Sequence, residues 1–162
     1  MIGLISDTHD NVPGIKEAVG IFNKNKCEFV IHAGDIVSGP SLGYFDGVKL
    51  KFILGNNVCL GPGIQKFSEK INAENLGKTG EINYKGKKIA VINGDKKDEL
   101  EKAIKEQKYD YIITGHNHKK RDEKIGKIRI INPGGLYLGD DKKSFALLDI
   151  EKDIVEFVDI KQ

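Results

Sequence analysis

Short apolar runs alternate along this chain with stretches of helical periodicity, and the runs stop abruptly at small or polar residues. Residues 1–5 read as a first buried strand. Ile15, Ala18, Val19 and Phe22 recur at helical spacing, which predicts a helix over about residues 13–25, with Asn11 as its cap and Pro13 in its first turn. Gly20 costs that helix about 1 kcal/mol relative to Ala, so burial of the apolar face has to hold it. Residues 28–33 and 49–54 predict two further strands, separated by a loose segment with Gly39-Pro40 as a turn. Gly61-Pro62-Gly63 breaks the chain before a short helix at about residues 63–72. Residues 81–84 and 87–93 predict a hairpin around Lys85-Gly86. An amphipathic helix over residues 98–107 carries Leu100, Ala103 and Ile104, and residues 110–114 predict another strand. Strands at about 127–132, 144–150 and 153–160 complete the chain, with Asn132-Pro133-Gly134-Gly135 as a turn between the first two. Strand, helix, strand and a further strand point to an α/β fold, a parallel sheet with helical crossovers.

The residues that end these runs carry chemistry. The strand ends are marked by Asp7 and His9, Asp35, Asn56, Asn93, and His116 and His118. In an open α/β sheet, ligands bind beyond the carboxyl ends of the strands, so metal-ligand chemistry is expected along one edge of the sheet. Asp7 and His9 stand two apart, and on a strand they would point the same way, a carboxylate and an imidazole converging on one divalent ion. Gly34, Gly55, Gly94 and Gly115 beside the later polar residues allow tight turns and close backbone approach. Three of the four histidines belong to these clusters, and the fourth, His32, lies three residues before Asp35.

Composition narrows the classes. A chain of 162 residues and 18.0 kDa is expected to form one domain, 1–162, with a real core. Lys+Arg 26 against Asp+Glu 24 is too balanced to imply a nucleic-acid partner. Cys27 and Cys59 form neither a metal pair nor a disulfide framework, which fits a reducing compartment. Strand-like sequence from Ile2 leaves no room for a signal peptide, and no apolar run approaches membrane-spanning length. A soluble protein of the cytoplasm is the expectation, with a homodimer left open.

As a set, Asp7-Thr8-His9, Gly34-Asp35, Gly55-Asn56-Asn57 and Gly115-His116-Asn117-His118, in this order, resemble the calcineurin-like metallophosphoesterases, within them the small single-domain prokaryotic phosphodiesterases. His32-Ala33-Gly34-Asp35 and Asn132-Pro133-Gly134 also look like the family, and the resemblance runs from residue 2 to about 135. It implies a four-layer α/β/β/α sandwich and a metal-dependent hydrolase acting on a small phosphorylated substrate, a diester rather than a monoester. By position, one ion would be held by Asp7, His9 and His118, the other by Asn56, His116 and a ligand from the fourth motif, with Asp35 bridging. A hydroxide between the two ions would be the nucleophile. Manganese is the expected metal, with nickel, magnesium, iron or zinc as the others.

The fourth motif departs from the family. Where the family has His-Gly-His, this chain has Asn93-Gly94-Asp95, so the second ion loses an imidazole. An Asn carbonyl is a harder and weaker donor, and Asn93, helped by Asp95, would bind that ion more weakly; a plain turn residue is the other reading of Asn93. Asn57 stands where many members carry a histidine that protonates the leaving group, and Asn transfers no proton, so activated leaving groups would be favoured. Val58 stands where an Asp is frequent. These losses motivate an alternative, a weakly active or inactive one-metal relative serving as a binding or scaffold protein; a nuclease is the third reading. His32 reads as a structural histidine and Cys59 as a core thiol. Lys96-Lys97, Lys119-Lys120-Arg121 and Lys142-Lys143 read as solvated surface, with steering of phosphate substrates as the other reading.

Overall fold

The computed structural model describes residues 1–57 and 62–160. Val58 and Cys59 lie outside the described residues. Two sheets form. The first contains β1 (Ile2–Ile5), β2 (Val30–His32), β3 (Leu50–Phe52), β4 (Glu74–Asn75), β10 (Lys143–Asp149) and β11 (Ile154–Ile160), in the order β11-β10-β1-β2-β3-β4. The second contains β5 (Thr79–Tyr84), β6 (Lys87–Ile92), β7 (Tyr111–Thr114), β8 (Arg121–Ile125) and β9 (Ile128–Asn132), in the order β5-β6-β7-β9-β8. The first is parallel from β1 to β4 with antiparallel β10 and β11 at one flank, and the second has a parallel centre with an antiparallel strand at each flank, so the expected parallel sheet is two mixed ones.

Period-two alternation assigns the layers. In β1, Ile2 and Leu4 face the second sheet, where they pack with Ile89, Val91, Ile113 and Ile131. The opposite face, with Ile5 and Val30, meets α1 (Val12–Lys24) through Ile15, Ala18, Val19 and Phe22. Gly3 lies under the Phe22 ring, where a Cβ would come within 2.7 Å of it. On the far side, Ala90, Ile92, Ile112, Ile128 and Ile130 pack against α4 (Lys97–Glu106), which follows α2 (Gly39–Leu42) and α3 (Pro62–Lys70) in the chain, through Leu100, Ala103 and Ile104. Three apolar seams between four layers make the expected α/β/β/α sandwich.

Local chemistry sets the element ends. Asn11 accepts from the Gly14 amide at 3.0 Å and Pro13 occupies the first turn of α1, as expected. Lys85 and Gly86 both have positive φ, 49° and 75°, the twist a two-residue hairpin requires. Other expectations fail. Gly39-Pro40 opens α2 (Gly39–Leu42) instead of a turn, because the Ser38 hydroxyl caps the Ser41 amide and a 3-10 turn, Gly43–Phe45, continues the coil. β8 has no apolar alternation and exists because it pairs with β9 as an edge strand. Asn132-Pro133-Gly134-Gly135 opens a crossing from the second sheet to the first, not a simple turn between two neighbouring strands.

Candidate metal centre

The ends of β1, β2, β3, β6 and β7 face the same end of the sandwich, so the ligands come from two sheets rather than from one sheet edge. β1 stops at Ile5, and Asp7 and His9 come after it in the left-handed region, at φ 50° and 41°. A loop conformation, not the pleat of a strand, therefore turns them to one point. Asp35, His116 and His118 share it, at φ 62°, 72° and 55°. Positive φ costs a non-glycine residue about 1–2 kcal/mol, so the surrounding bonds must hold it. Asp7 N–H donates to the Gly34 carbonyl, His9 N–H to the Asp35 carbonyl and Leu136 N–H to the Asp7 carbonyl, at 3.0, 3.1 and 3.0 Å. The Ser6 hydroxyl donates to the Gly134 carbonyl at 2.7 Å.

Asp7, His9 and His118 each present a ligand atom within 4.8 Å of the others. His118 Nε2 lies 3.7 Å from Asp7 Oδ1, and His9 Nε2 lies 3.9 Å from Asp35 Oδ2. Asp7 is fully buried, and that burial pushes its carboxyl up to about 6, against the opposing effects of the Ser6 hydroxyl and His118. The His116 amide donates to both Asp7 oxygens, at 3.0 and 2.9 Å. Burial lowers the His9 imidazole below its usual value, although the Asp35 carboxylate opposes this. His9 Nε2 is buried without a hydrogen-bond partner. A neutral imidazole nitrogen held dry beside two carboxylates fits a divalent cation.

The remaining expected residues lie next to this trio. Asp35 is 1% exposed; its two oxygens accept from the Asn57 amide at 2.8 Å and the Asn57 side chain at 3.2 Å. Asn56 Oδ1 and His116 Nδ1 are 3.1 Å apart. Asn93 is 3% exposed, and its side-chain amide donates to the Ala33 carbonyl at 3.0 Å. A carbonyl only accepts, so this bond fixes the orientation of the amide. Asn93 Oδ1 is thereby turned away as a buried acceptor without a partner, which no turn residue needs. Asn56, Asn93 and Asp95 line one cleft of about 200 Å³. Both orphaned atoms, His9 Nε2 and Asn93 Oδ1, are electron-pair donors of the kind a metal takes.

A model of the calcineurin-like phosphoesterase superfamily domain matches residues 1–153. The chain belongs to that superfamily. A phosphodiesterase of Methanocaldococcus jannaschii is 35% identical over 157 residues, covering 93% of each chain. A probable metallophosphoesterase of Mycoplasma genitalium is 28% identical over 144 residues, 83% of this chain and 76% of that one. A solved archaeal phosphodiesterase superposes with a TM-score of 0.92 at 31% identity, over 98% of this chain and 99% of the other.

Two residues of this phosphoesterase site were not legible as motifs. Asp140 Oδ2 meets His118 Nδ1 at 2.6 Å, holding the ring with Nε2 toward Asp7. The Tyr137 ring lies 5.0 Å from His9 and 5.8 Å from His118. Both come from the crossing between β9 and β10. Its Gly135 passes so close that a Cβ would come within 3.0 Å of His118 and 3.2 Å of Asp7. His32 takes a structural place. The Gly34 amide donates to Nδ1 at 3.2 Å, so Nε2 carries the proton toward the Thr8 hydroxyl at 3.1 Å. The no-membrane expectation meets one fact: among the described residues no helix is long and apolar enough to cross a bilayer.

Proposed function

We propose that this phosphoesterase is a metal-dependent phosphodiesterase working with two divalent ions, manganese first among them. The observation that carries the reading is the pair of buried, partnerless donors, His9 Nε2 and Asn93 Oδ1, the former 3.9 Å from the buried Asp35 carboxylate. The phosphodiesterase relative at 35% identity supports the diester preference. Asp7, His9 and His118 would hold one ion, and Asn56, His116 and Asn93 the other, with Asp35 between them. When bound, such ions supply an activated water and neutralise phosphoryl charge.

The chain's own residues hold and orient. Asn57 keeps both Asp35 oxygens in place through its amide and side chain. Asp140 holds His118 in one ring orientation, and Tyr137 covers the two imidazoles. Asn57 offers no transferable proton, so good leaving groups react faster than poor ones. With one imidazole fewer, the second ion is held less tightly than the first.

An activated aryl phosphodiester assayed with Mn²⁺ or Ni²⁺ tests this. Turnover that depends on the metal and is lost in Asp35→Asn is the expected result. Dialysis should strip one ion before the other. Two tightly held ions per chain would overturn the weak second site. No turnover with any metal, together with capture of a specific protein partner, would favour the scaffold reading.

A further inference from the structure

Beside the metal centre lies a second cleft, of about 580 Å³, that the hydrolytic chemistry leaves unused. His118 forms one wall, so the cleft opens directly from the metal site. The opposite wall is the start of β10 and the end of β11, with Lys143, Ser144 and Ile160. Its volume falls within the range of small-molecule pockets and suits a nucleotide-sized group.

The decisive residue is Lys143. It is only 6% exposed, yet its ammonium has no carboxylate within 4.0 Å among the described residues. Its Nζ donates to the Asp140 main-chain carbonyl at 2.7 Å. An ammonium has three donors, and removing it from water without a counter-charge is costly. Lys119 and Lys142 line the same cleft and likewise have no ion pair among the described residues. Lys120 is neutralised by Asp159. Against these three uncompensated cations stands one unpaired carboxylate, Asp141. A cleft so charged, sharing a wall with a phosphate-hydrolysing centre, is built for a second anion.

We infer that this cleft binds a further phosphate group on the substrate, so that the preferred substrate is a phosphodiester one arm of which ends in a phosphate. The inference rests on the diesterase reading for its chemistry but not for its test. A diester at the metal centre carries two ester arms, and one of them can leave past His118 into the cleft. There Lys143 supplies an ammonium fixed by the Asp140 carbonyl, and Lys119 and Lys142 supply further ones. The apolar stems and Ile160 accept the body of the arm.

The test is calorimetric titration of the metal-free protein with a dinucleotide bearing a terminal 5′-phosphate, and with the same dinucleotide lacking it. The phosphorylated form should bind at least about tenfold more tightly, a gap of about 1.4 kcal/mol. The double variant Lys119→Glu/Lys142→Glu should close that gap, and Lys143→Met, an apolar replacement that keeps the wall filled, should narrow it. Equal binding of the two dinucleotides overturns the inference even if aryl diesters are hydrolysed. So does inorganic phosphate binding as tightly as the phosphorylated dinucleotide, which would mark a free-anion site. A binding gap without turnover supports the cleft and instead overturns the diesterase reading. With metal present, the same gap should appear in KM rather than in kcat.

Discussion

His118 shows how much one side chain depends on a neighbour that no motif announces. Its Nδ1 faces Asp140 Oδ2 at 2.6 Å, which leaves Nε2 as the atom presented to Asp7. A carboxylate behind a ligating imidazole fixes its tautomer and raises its basicity, and loss of such a partner typically costs 10–100-fold in metal affinity. Asp140→Asn is therefore expected to weaken divalent-ion binding at the Asp7, His9 and His118 cluster about 10–100-fold, read by competition with a metal-sensitive dye, while Asp141→Asn next to it should not. His32 carries a pH prediction. Burial drives its folded pKa from 6.5 down to about 3. Between those values the unfolded chain binds a proton that the folded chain refuses, so the contribution of His32 to stability is complete above pH 6.5 and is lost as pH drops toward 3, opposite in sign to that of Asp7. In His32→Gln the slope of unfolding free energy against pH over this window should be shallower by nearly one proton, whatever the absolute stability. An unchanged slope in denaturant titrations would show that His32 does not titrate this way.

Among the elements, α1 is the clearest case of helix and core agreeing. Ile15, Ala18 and Phe22 are fully buried, and Val19 is nearly so. Gly20 faces the other way, exposed, with nothing within 4 Å of where a Cβ would stand. Its cost is conformational, and no packing compensates it locally. Gly20→Ala should therefore stabilise the protein by about 0.5–1 kcal/mol, seen as a higher denaturant midpoint with unchanged slope. Gly3, in the adjacent strand, is the opposite case, since any side chain there would collide with the Phe22 ring. The loops after the strands form a third kind of element. Val37, β-branched and at φ 76°, lies in the same left-handed stretch as Asp35 and has no ligand role. Its strain belongs to the path the chain takes around Asp35.

The whole molecule is fastened at two ends. At one end the metal loops bond to each other across the sheets, as in the His116 amide held by Asp7. At the other end Arg129 of β9 spans Asp122 at 2.7 Å and Asp153 at 2.7 Å, the latter in the turn between β10 and β11. Tyr111 and Lys124 also reach Asp153, at 2.7 and 2.6 Å. This cluster ties the second sheet to the first. Asp153 is 38% exposed, so solvent screening keeps its value low. Asp153→Asn, which tolerates the positive φ there, should cost about 1 kcal/mol of stability in thermal unfolding without altering metal-dependent turnover. A change in turnover would mean that the two ends are coupled.

Apolar spacing was enough to place α1, α4, the Lys85-Gly86 hairpin and the seven strands with strong runs, because burial of one face writes a period into the sequence. The polar residues after those runs pointed to Asp7, His9, Asp35, Asn56, His116 and His118 as candidates, because carboxylates, imidazoles and amides at successive strand ends combine into a metal-ligand set. β8 left no such trace, because its partner β9 supplies the pairing and its own side chains stay in water. Nor did Asp140 and Tyr137, which are separated in sequence from the motifs they serve and reach the centre only through the crossing between the sheets; Lys143 was legible only as a solvated surface cation, and the packing of β10 buries it instead. The ligand types were local information. The left-handed turns that aim Asp7 and His9, the bond that leaves Asn93 Oδ1 buried without a partner and the charge left unbalanced at Lys143 arise only when two sheets are stacked. Burial, orientation and charge balance belong to the space between chain segments, and a single line of residues does not carry them.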